Sequence, residues 1–402
     1  MISVREARQK ILESAVPLDI FTIPIEKALT YHLAVDIVAD RPIPPFNRVL
    51  MDGFAVRTSD FVSHRATLQI KGTLQAGVSG NFTVNPRETV KVMTGAPCPY
   101  GANAVIKVEQ SEINGDQAIL TAEKLIPNLN IALKGEDAEA GTVLIGSSSA
   151  LNAAGIAVCA SVGISEVAVY KKPVVSIVTT GTEIIPADRS PLDHQIRDCN
   201  SFALRAMCDE LRITSRFLGI GEDTSSAIEE LIRKGLESDI LVLTGGVSMG
   251  DFDFVPSVLS ELGVTKIFHK INMKPGKPLW FGKTCAGKYV FGLPGNPVSA
   301  QACFKLFAVP LIKKLSGNKS FEPETVFLPL SQEALSKTSR EHFIPARLQT
   351  KENRTYLEPV IIRSSGDFYH LEKSHGLIRC PAEIHLLKKN TLVEFLPWKE
   401  IW

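Results

Sequence analysis

Three loops in this 402-residue chain carry the residue types that hold anions: Thr179-Thr180-Gly181-Thr182-Glu183, Thr244-Gly245-Gly246-Val247-Ser248-Met249-Gly250-Asp251-Phe252-Asp253 and Gly292-Leu293-Pro294-Gly295-Asn296-Pro297. Glycine lets backbone N–H groups approach a ligand closely, and a following helix N-terminus adds positive partial charge. One such loop is commonly no more than a tight strand-to-helix turn. Three on one sheet edge favour a phosphate-bearing ligand. Asp251 and Asp253 lie two apart within the second loop. Carboxylates beside a phosphate site suit Mg²⁺, which keeps several waters and takes one or two protein ligands. The same positions suit an N-cap for the next helix, and spacing alone leaves both readings open. Lys270, Lys274 and Lys277 flank or lie within Met273-Lys274-Pro275-Gly276-Lys277-Pro278. A solvated face is the default for lysines, but Pro and Gly fix this stretch, and three ammonium groups suit phosphate or another oxyanion.

Two near matches fail on their own chemistry. Residues 282–288 fit a G-x4-G-K spacing, but Tyr289 stands where a P-loop needs a Mg²⁺-holding hydroxyl, and a strand rather than a helix follows. Residues 245–250 lack the G-x-G-x-x-G spacing of dinucleotide binding. The eight histidines show no paired ligand spacing, so core or surface roles are expected rather than zinc.

These loops need a scaffold. Between residues 171 and 318, apolar runs at 174–178, 240–243 and 289–291 alternate with helical patterns at 201–211, 225–234, 255–262 and up to 315, with a further strand at 216–220. Alternating βα units with apolar strands predict a mostly parallel, doubly wound sheet covered on both faces. Ligands of such sheets bind outside the carboxyl ends of the strands, where the three loops fall. Residues 42–140 have a different texture. Short β-branched runs at 68–70, 90–93, 105–108 and 118–121 alternate with Gly, Asn and Pro, which predicts a β-rich insertion. Ser3 and Glu6 form a capping box for a first helix with Ala7, Ile11 and Ala15 at helical spacing. The Ala-rich run 150–164 reads as a second, buried helix, too short to span a bilayer. Residues 1–41 and 141–170 are therefore expected to form one discontinuous linker domain. Short strands at 326–330, 346–349, 356–360 and 392–395 predict a C-terminal β-barrel or sandwich over residues 319–402.

Bulk composition is that of an ordinary globular chain of several domains. Lys+Arg 44 against Asp+Glu 43 leaves a net charge of +1, with no electrostatic footprint for nucleic acid or an anionic membrane. Seven scattered cysteines with no CxxC pair argue against a disulfide framework and fit a reducing cytoplasm. The charged first sixteen residues are not expected to be a secretory signal.

Several strings together resemble one family, the molybdopterin molybdenumtransferases, which include bacterial MoeA and the E domain of gephyrin. They are Met51-Asp52-Gly53-Phe54-Ala55-Val56-Arg57, Met93-Thr94-Gly95-Ala96-Pro97, Gly135-Glu136-Asp137, Thr180-Gly181-Thr182-Glu183, Gly245-Gly246-Val247-Ser248, Lys274-Pro275-Gly276-Lys277-Pro278 and Leu293-Pro294-Gly295-Asn296-Pro297, in the family's order. Arg347 and Ser364-Ser365-Gly366 match more loosely. The resemblance implies a four-domain homodimer, a middle domain of the molybdopterin-adenylyltransferase type, and an active site shared between subunits. It also implies the reaction: adenylyl-molybdopterin plus molybdate gives molybdenum cofactor plus AMP, with Mg²⁺. By position, the resemblance makes Asp52, Thr94, Glu183, Asp223 and Asp253 catalytic, with Asp223 and Asp253 as metal ligands. Thr180, Gly181, Gly245, Gly246, Ser248, Lys270, Lys274, Lys277, Pro294, Pro297, Arg347 and Ser365 become substrate-binding. Cleaving the phosphoanhydride is mostly positioning and charge neutralisation, which Mg²⁺ and the lysines would supply. Molybdate is an oxyanion that lysines, serine hydroxyls and loop N–H groups can hold. Two positions depart from the family. Lys134 stands where an arginine often precedes Gly-Glu-Asp, so bidentate anion recognition is lost there, and Arg197 precedes Asp198-Cys199-Asn200.

Two alternatives share the architecture. One is a molybdopterin adenylyltransferase, against which stands Val247-Ser248-Met249 after Gly245-Gly246 in place of a Thr-Gly-Gly-Thr-Gly loop. The other is a non-enzymatic scaffold, for which the sequence holds no linker or partner motif. The adenylyltransferase also remains an expected partner.

Overall fold

The computed structural model describes residues 1–78, 80–222, 224–246 and 254–399. The strands Ser215–Gly221, Val175–Thr180, Ile240–Thr244 and Tyr289–Leu293 lie side by side and parallel. Trp280–Thr284 and then Val264–His269 extend this sheet antiparallel, so it is mixed at one edge. The sequence reading missed those two strands. Their turns and polar edge residues lack the continuous apolar run that marks a central strand.

The central strands are buried on both faces because successive side chains point to opposite sides. Val175, Ile177, Ile240, Val242, Phe291 and Leu293 join one core, while Val178, Leu241, Leu243 and Val290 join the other. Ser225–Gly235 and Val255–Glu261 cover the second face through Ile228, Ile232, Val255 and Val258. Asn200–Glu210 covers the first, with a continuous run of α-, π- and α-helix from Pro297 to Leu315.

The first helix, Val4–Glu13, has the capping box but not the expected company. Its stripe Val4, Ala7, Ile11 and Ala15 is buried in the α/β core rather than with residues 141–170. Lys314 Nζ donates to the Leu12 carbonyl at 2.6 Å and Lys283 Nζ to the Ser14 carbonyl at 2.6 Å. Cations on the last carbonyls of a helix complement its dipole. The remainder of the linker unit does fold from two separated segments. Ile20–Pro24 pairs antiparallel with Glu166–Tyr170, and Ile25, Leu33 and Ile37 share a core with Leu151, Cys159 and Val167. The second helix, Ala153–Ser161, is a correction. It lies at the surface with only Cys159 fully buried, and Ala153, Ala154, Ala157 and Ala160 are exposed. Uniform apolarity gave no direction to its inner face.

The insertion is a six-stranded sheet running from Gly53–Val56 to Gln117–Thr121 in sequence. Gly53 is obligatory there, because a Cβ would sit 1.9 Å from the Ile106 carbonyl oxygen of the neighbouring strand. At the C-terminus, Val326–Pro329, Leu392–Pro397, Gly376–Cys380, Glu341–Lys351 and Arg354–Pro359 pair in succession. The Leu330–Leu357 bridge returns the last strand to the first, closing a small barrel around Leu330, Ala346, Leu357 and Phe395. A short strand of the α/β domain, Met273–Lys274, adds itself in parallel to the start of Glu341–Lys351. That pairing sets the lysine loop against the barrel.

Candidate active site

Parallel register brings the carboxyl ends of the central strands level. Thr179 pairs with Thr244, Thr180 with Gly221 and Thr244 with Leu293. The loops beyond them lock together. Thr180 Oγ1 donates to the Thr244 carbonyl at 3.3 Å, Gly181 N to the Gly221 carbonyl at 3.3 Å, and Gly245 N to the Leu293 carbonyl at 3.2 Å. Gly245 and Gly246 have φ of 89° and 60°. A Cβ on Gly245 would lie 2.4 Å from the Thr180 carbonyl oxygen, so only glycine permits this approach. Gly295 stacks on Gly245, and Asn200 Nδ2 holds the Gly295 carbonyl at 2.7 Å. Among the described residues, Thr244 Oγ1 and Asn200 Oδ1 are buried polar atoms at this rim with no hydrogen-bond partner. Glu183 is exposed on the loop beside them, while Asp198 is occupied by Thr179 and Ser201.

The third loop runs directly into a second feature. Asn296 Nδ2 donates to Ser365 Oγ at 2.8 Å and Val298 N to the Ser365 carbonyl at 3.1 Å. These bonds join the α/β rim to the barrel across a cleft of about 870 Å³. Lys274, Lys277, Lys337, Arg340 and Arg363 line it, against the single carboxylate Glu333. Pro294 also lines it, and Pro297 opens the adjoining helix. Cis proline Pro275 and the backbone bonds Lys270 N to Leu279 O and Ile271 N to Lys277 O fix the lysine loop. Lys274 lies opposite His342 in register. Burial and the charges of Lys274 and Arg340 push the His342 imidazole down to about 4, so it is neutral at neutral pH.

Thr180, Gly181, Gly245, Gly246, Pro294, Lys274, Lys277 and Ser365 are thus assembled around one continuous rim and cleft. Arg347 is not among them. It lines an adjoining groove and is paired with Glu358, its Nε donating at 2.9 Å. Asp52 and Thr94 form a separate unit in the insertion, where Asp52 Oδ1 accepts from both Thr94 N and Thr94 Oγ1 at 2.7 Å. Those two bonds, with Lys91 nearby, hold the Asp52 carboxyl below its ordinary range. Among the described residues, neither is hydrogen-bonded to the glycine loops. Glu136 of the Gly-Glu-Asp string accepts from Leu133 N, and Lys134 N donates to Asn47, so this string shapes a turn. Asp223, Ser248, Asp251 and Asp253 lie outside the described residues. Among the described residues, no group of three or more His, Cys, Asp or Glu side chains is placed to hold a metal ion. Sequence reading missed Lys337, Arg340, Arg363 and His342. Only Arg363 had a local signal, as a cation directly before Ser364-Ser365-Gly366.

The fold defines a multidomain α/β protein, and the cations lining its cleft, opposed by Glu333 alone among the lining residues, suit an anion. Comparison with known proteins narrows the class. Residues 2–163 match the MoeA N-terminal region (domain I and II), residues 176–314 the probable molybdopterin binding domain, and residues 328–398 the MoeA C-terminal region (domain IV). A molybdopterin molybdenumtransferase of Staphylococcus aureus is 30% identical over 400 residues, covering 98% of this chain and 95% of that protein. One from Staphylococcus epidermidis is 30% identical over 402 residues, with the same coverage. Two crystal structures of molybdopterin biosynthesis MoeA protein from Pyrococcus horikoshii superpose with TM-scores of 0.82 and 0.85, at 30% and 27% identity. They cover 100% and 99% of this chain, and 100% of each of those chains. The chain belongs to the molybdopterin molybdenumtransferase (MoeA) family.

Proposed function

We propose that this protein transfers molybdenum to a pterin dithiolene, converting adenylyl-molybdopterin and molybdate to molybdenum cofactor and AMP. The observation that carries this reading is the continuity of the glycine rim with the cationic cleft through Asn296 and Ser365. The glycines of the rim, two of whose N–H groups lock the loops together, let a pyrophosphate approach the backbone closely, and the cleft offers ammonium and guanidinium groups to a tetrahedral dianion. A pterin nucleotide lying across both would meet molybdate at their junction. Proximity and charge neutralisation then do most of the work, since breaking a phosphoanhydride needs little covalent help.

Hard oxygen donors at the rim, namely the exposed Glu183 carboxylate and the Thr244 hydroxyl, which has no partner among the described residues, suit Mg²⁺. Asp223 and Asp253 are the proposed holders, with waters completing the shell. Bound there, Mg²⁺ would neutralise phosphate charge. Glu183 orients water, because a bare carboxylate repels molybdate. Asp52, kept ionised by Thr94, plays a similar part from the insertion of a second subunit. A homodimer is supported by apolar surface left exposed in one chain: the alanine face of Ala153–Ser161, and Phe46, Leu50, Met51 and Leu133 around Asp52. Cytoplasmic residence fits seven free cysteines, and among the described residues no helix is long and apolar enough to cross a membrane. The adenylyltransferase that supplies the substrate is a natural transient partner. Adenylyl transfer by this chain itself is not favoured, because the likeness to named molybdenumtransferases extends over 98% of its length.

Purified protein given adenylyl-molybdopterin, molybdate and Mg²⁺ should release AMP and incorporate molybdenum in equal amounts. Chelating the divalent cation should lower the rate at least a hundredfold, in keeping with the size of metal contributions to phosphoryl chemistry. AMP-pterin formation from ATP and free molybdopterin, with no molybdenum incorporated from the adenylylated substrate, would reverse the assignment.

A further inference from the structure

We propose that His342 is a proton-linked binding residue, taking up one proton from solvent when a dianionic tetrahedral oxyanion enters the cleft and then donating a hydrogen bond to it. This rests on the cleft being the oxyanion site. The geometry that points to it is a half-buried imidazole in a cleft also lined by Lys274, Lys277, Lys337, Arg340 and Arg363, with Glu333 the one carboxylate among its lining residues.

The groups facing His342 come from every element around it. Its Nδ1 lies 3.1 Å from Ser336 Oγ, and the Ser336 carbonyl in turn accepts from or faces His385 Nδ1 at 3.2 Å. Lys274 approaches from the parallel strand on one side, and Cys380 is its register partner on the other. Arg340 lies two residues before it, with its guanidinium tied to the Met273 carbonyl at 3.0 Å. Lys337, Arg363 and Glu333 line the same cleft. Glu341, the adjacent carboxylate, is engaged by Arg379 and is not available to neutralise the imidazolium.

With the cleft empty, burial together with the charges of Lys274 and Arg340 keeps the ring neutral down to about pH 4. A bound dianion offsets those two positive charges and gives the buried imidazolium a charged partner against its desolvation, which raises the ring towards its ordinary value, about 6.5. Raising the pKa of a group on binding makes affinity rise as pH falls between the two values. The proton comes from solvent and stays on the ring, so the complex gains one positive charge and no bond of the anion breaks. A neutral ring opposite a monoanion gains much less, which favours doubly charged oxyanions.

The test is isothermal titration calorimetry of the full chain with sodium molybdate, at pH 6 and pH 8, in buffers of different ionisation enthalpy. For a ring returning to about 6.5, the wild type should take up more than half a proton per anion at pH 6 and almost none at pH 8, and bind about fourfold more tightly at pH 6. H342Q should bind with an affinity that is flat across this range and with no proton uptake. Binding without uptake in the wild type overturns the role of His342 alone, as does uptake that persists in H342Q. Absence of molybdate binding in the wild type overturns the cleft assignment and this inference together. If H342Q does not fold, H342N takes its place, and a wild-type count of zero protons remains decisive.

Discussion

Lys274→Ala will weaken molybdate binding by about ten- to a hundredfold and lower the rate of molybdenum insertion by a similar factor, while the melting temperature changes by less than about 2 °C. A hydrogen bond to a charged group is worth roughly 1.5–3 kcal/mol, which corresponds to that range of affinity. Lys274 meets the barrel through its backbone, in the short parallel pairing with His342, and alanine keeps that pairing. Its side chain lines a cleft whose other cations are placed differently: Arg340 is tied to the Met273 carbonyl, and Lys277, Lys337 and Arg363 are exposed where Lys274 is half-buried. Calorimetry of molybdate binding, beside differential scanning calorimetry of the free protein, checks both halves. A large fall in melting temperature with unaltered affinity would make Lys274 a structural residue.

Gly245→Ala will damage both the rim and the domain. Alanine at φ 89° costs about 1–2 kcal/mol in backbone strain alone. Its methyl would also lie 2.4 Å from the Thr180 carbonyl oxygen, which is backbone and cannot rotate away. Either the Thr180 loop or the Gly245 loop must shift, and the level rim that joins them to Leu293 is lost. We expect a melting temperature lower by roughly 5–10 °C, on a total cost of about 2–4 kcal/mol. Insertion activity should fall below a tenth. Gly287→Ala is the control, because Gly287 also has positive φ but nothing lies within 4 Å of its added methyl. That variant should show only the backbone cost and full activity. Equal losses in the two variants would mean that the rim tolerates displacement.

How far the sequence foretold this arrangement depends on the kind of signal each element left. Val175–Thr180, Ile240–Thr244 and Tyr289–Leu293 were legible because a strand buried on both faces is largely apolar, with few charged residues to break the run. With them came the position of the glycine loops, since ligands lie beyond the carboxyl ends of parallel strands. The antiparallel strands Val264–His269, at the edge, and Trp280–Thr284, beside it, left no such mark. The destination of the first helix was equally hidden. An amphipathic stripe states that a face is buried, not against which core. The cationic cleft was half legible. Its lysine loop announces itself through Pro and Gly, but Arg340 and His342 reach the site only because Met273–Lys274 adds to the edge of the barrel, 67 residues away from Arg340 in sequence. A two-residue strand has no periodicity to read. Asp52 and Thr94 were found as strings, and the hydrogen bonds between them explain the pairing; their approach to a substrate rests on the proposed second subunit.

Oxyanion capture between the sheet rim and the barrel is the claim on which the rest stands, and anomalous scattering from a molybdate-soaked crystal of the full chain tests it directly. The account requires a molybdenum peak inside the cleft, within hydrogen-bonding reach of Lys274 and the Ser365 loop. A peak confined to the neighbouring groove at Arg347, or an empty cleft at saturating molybdate, would contradict it.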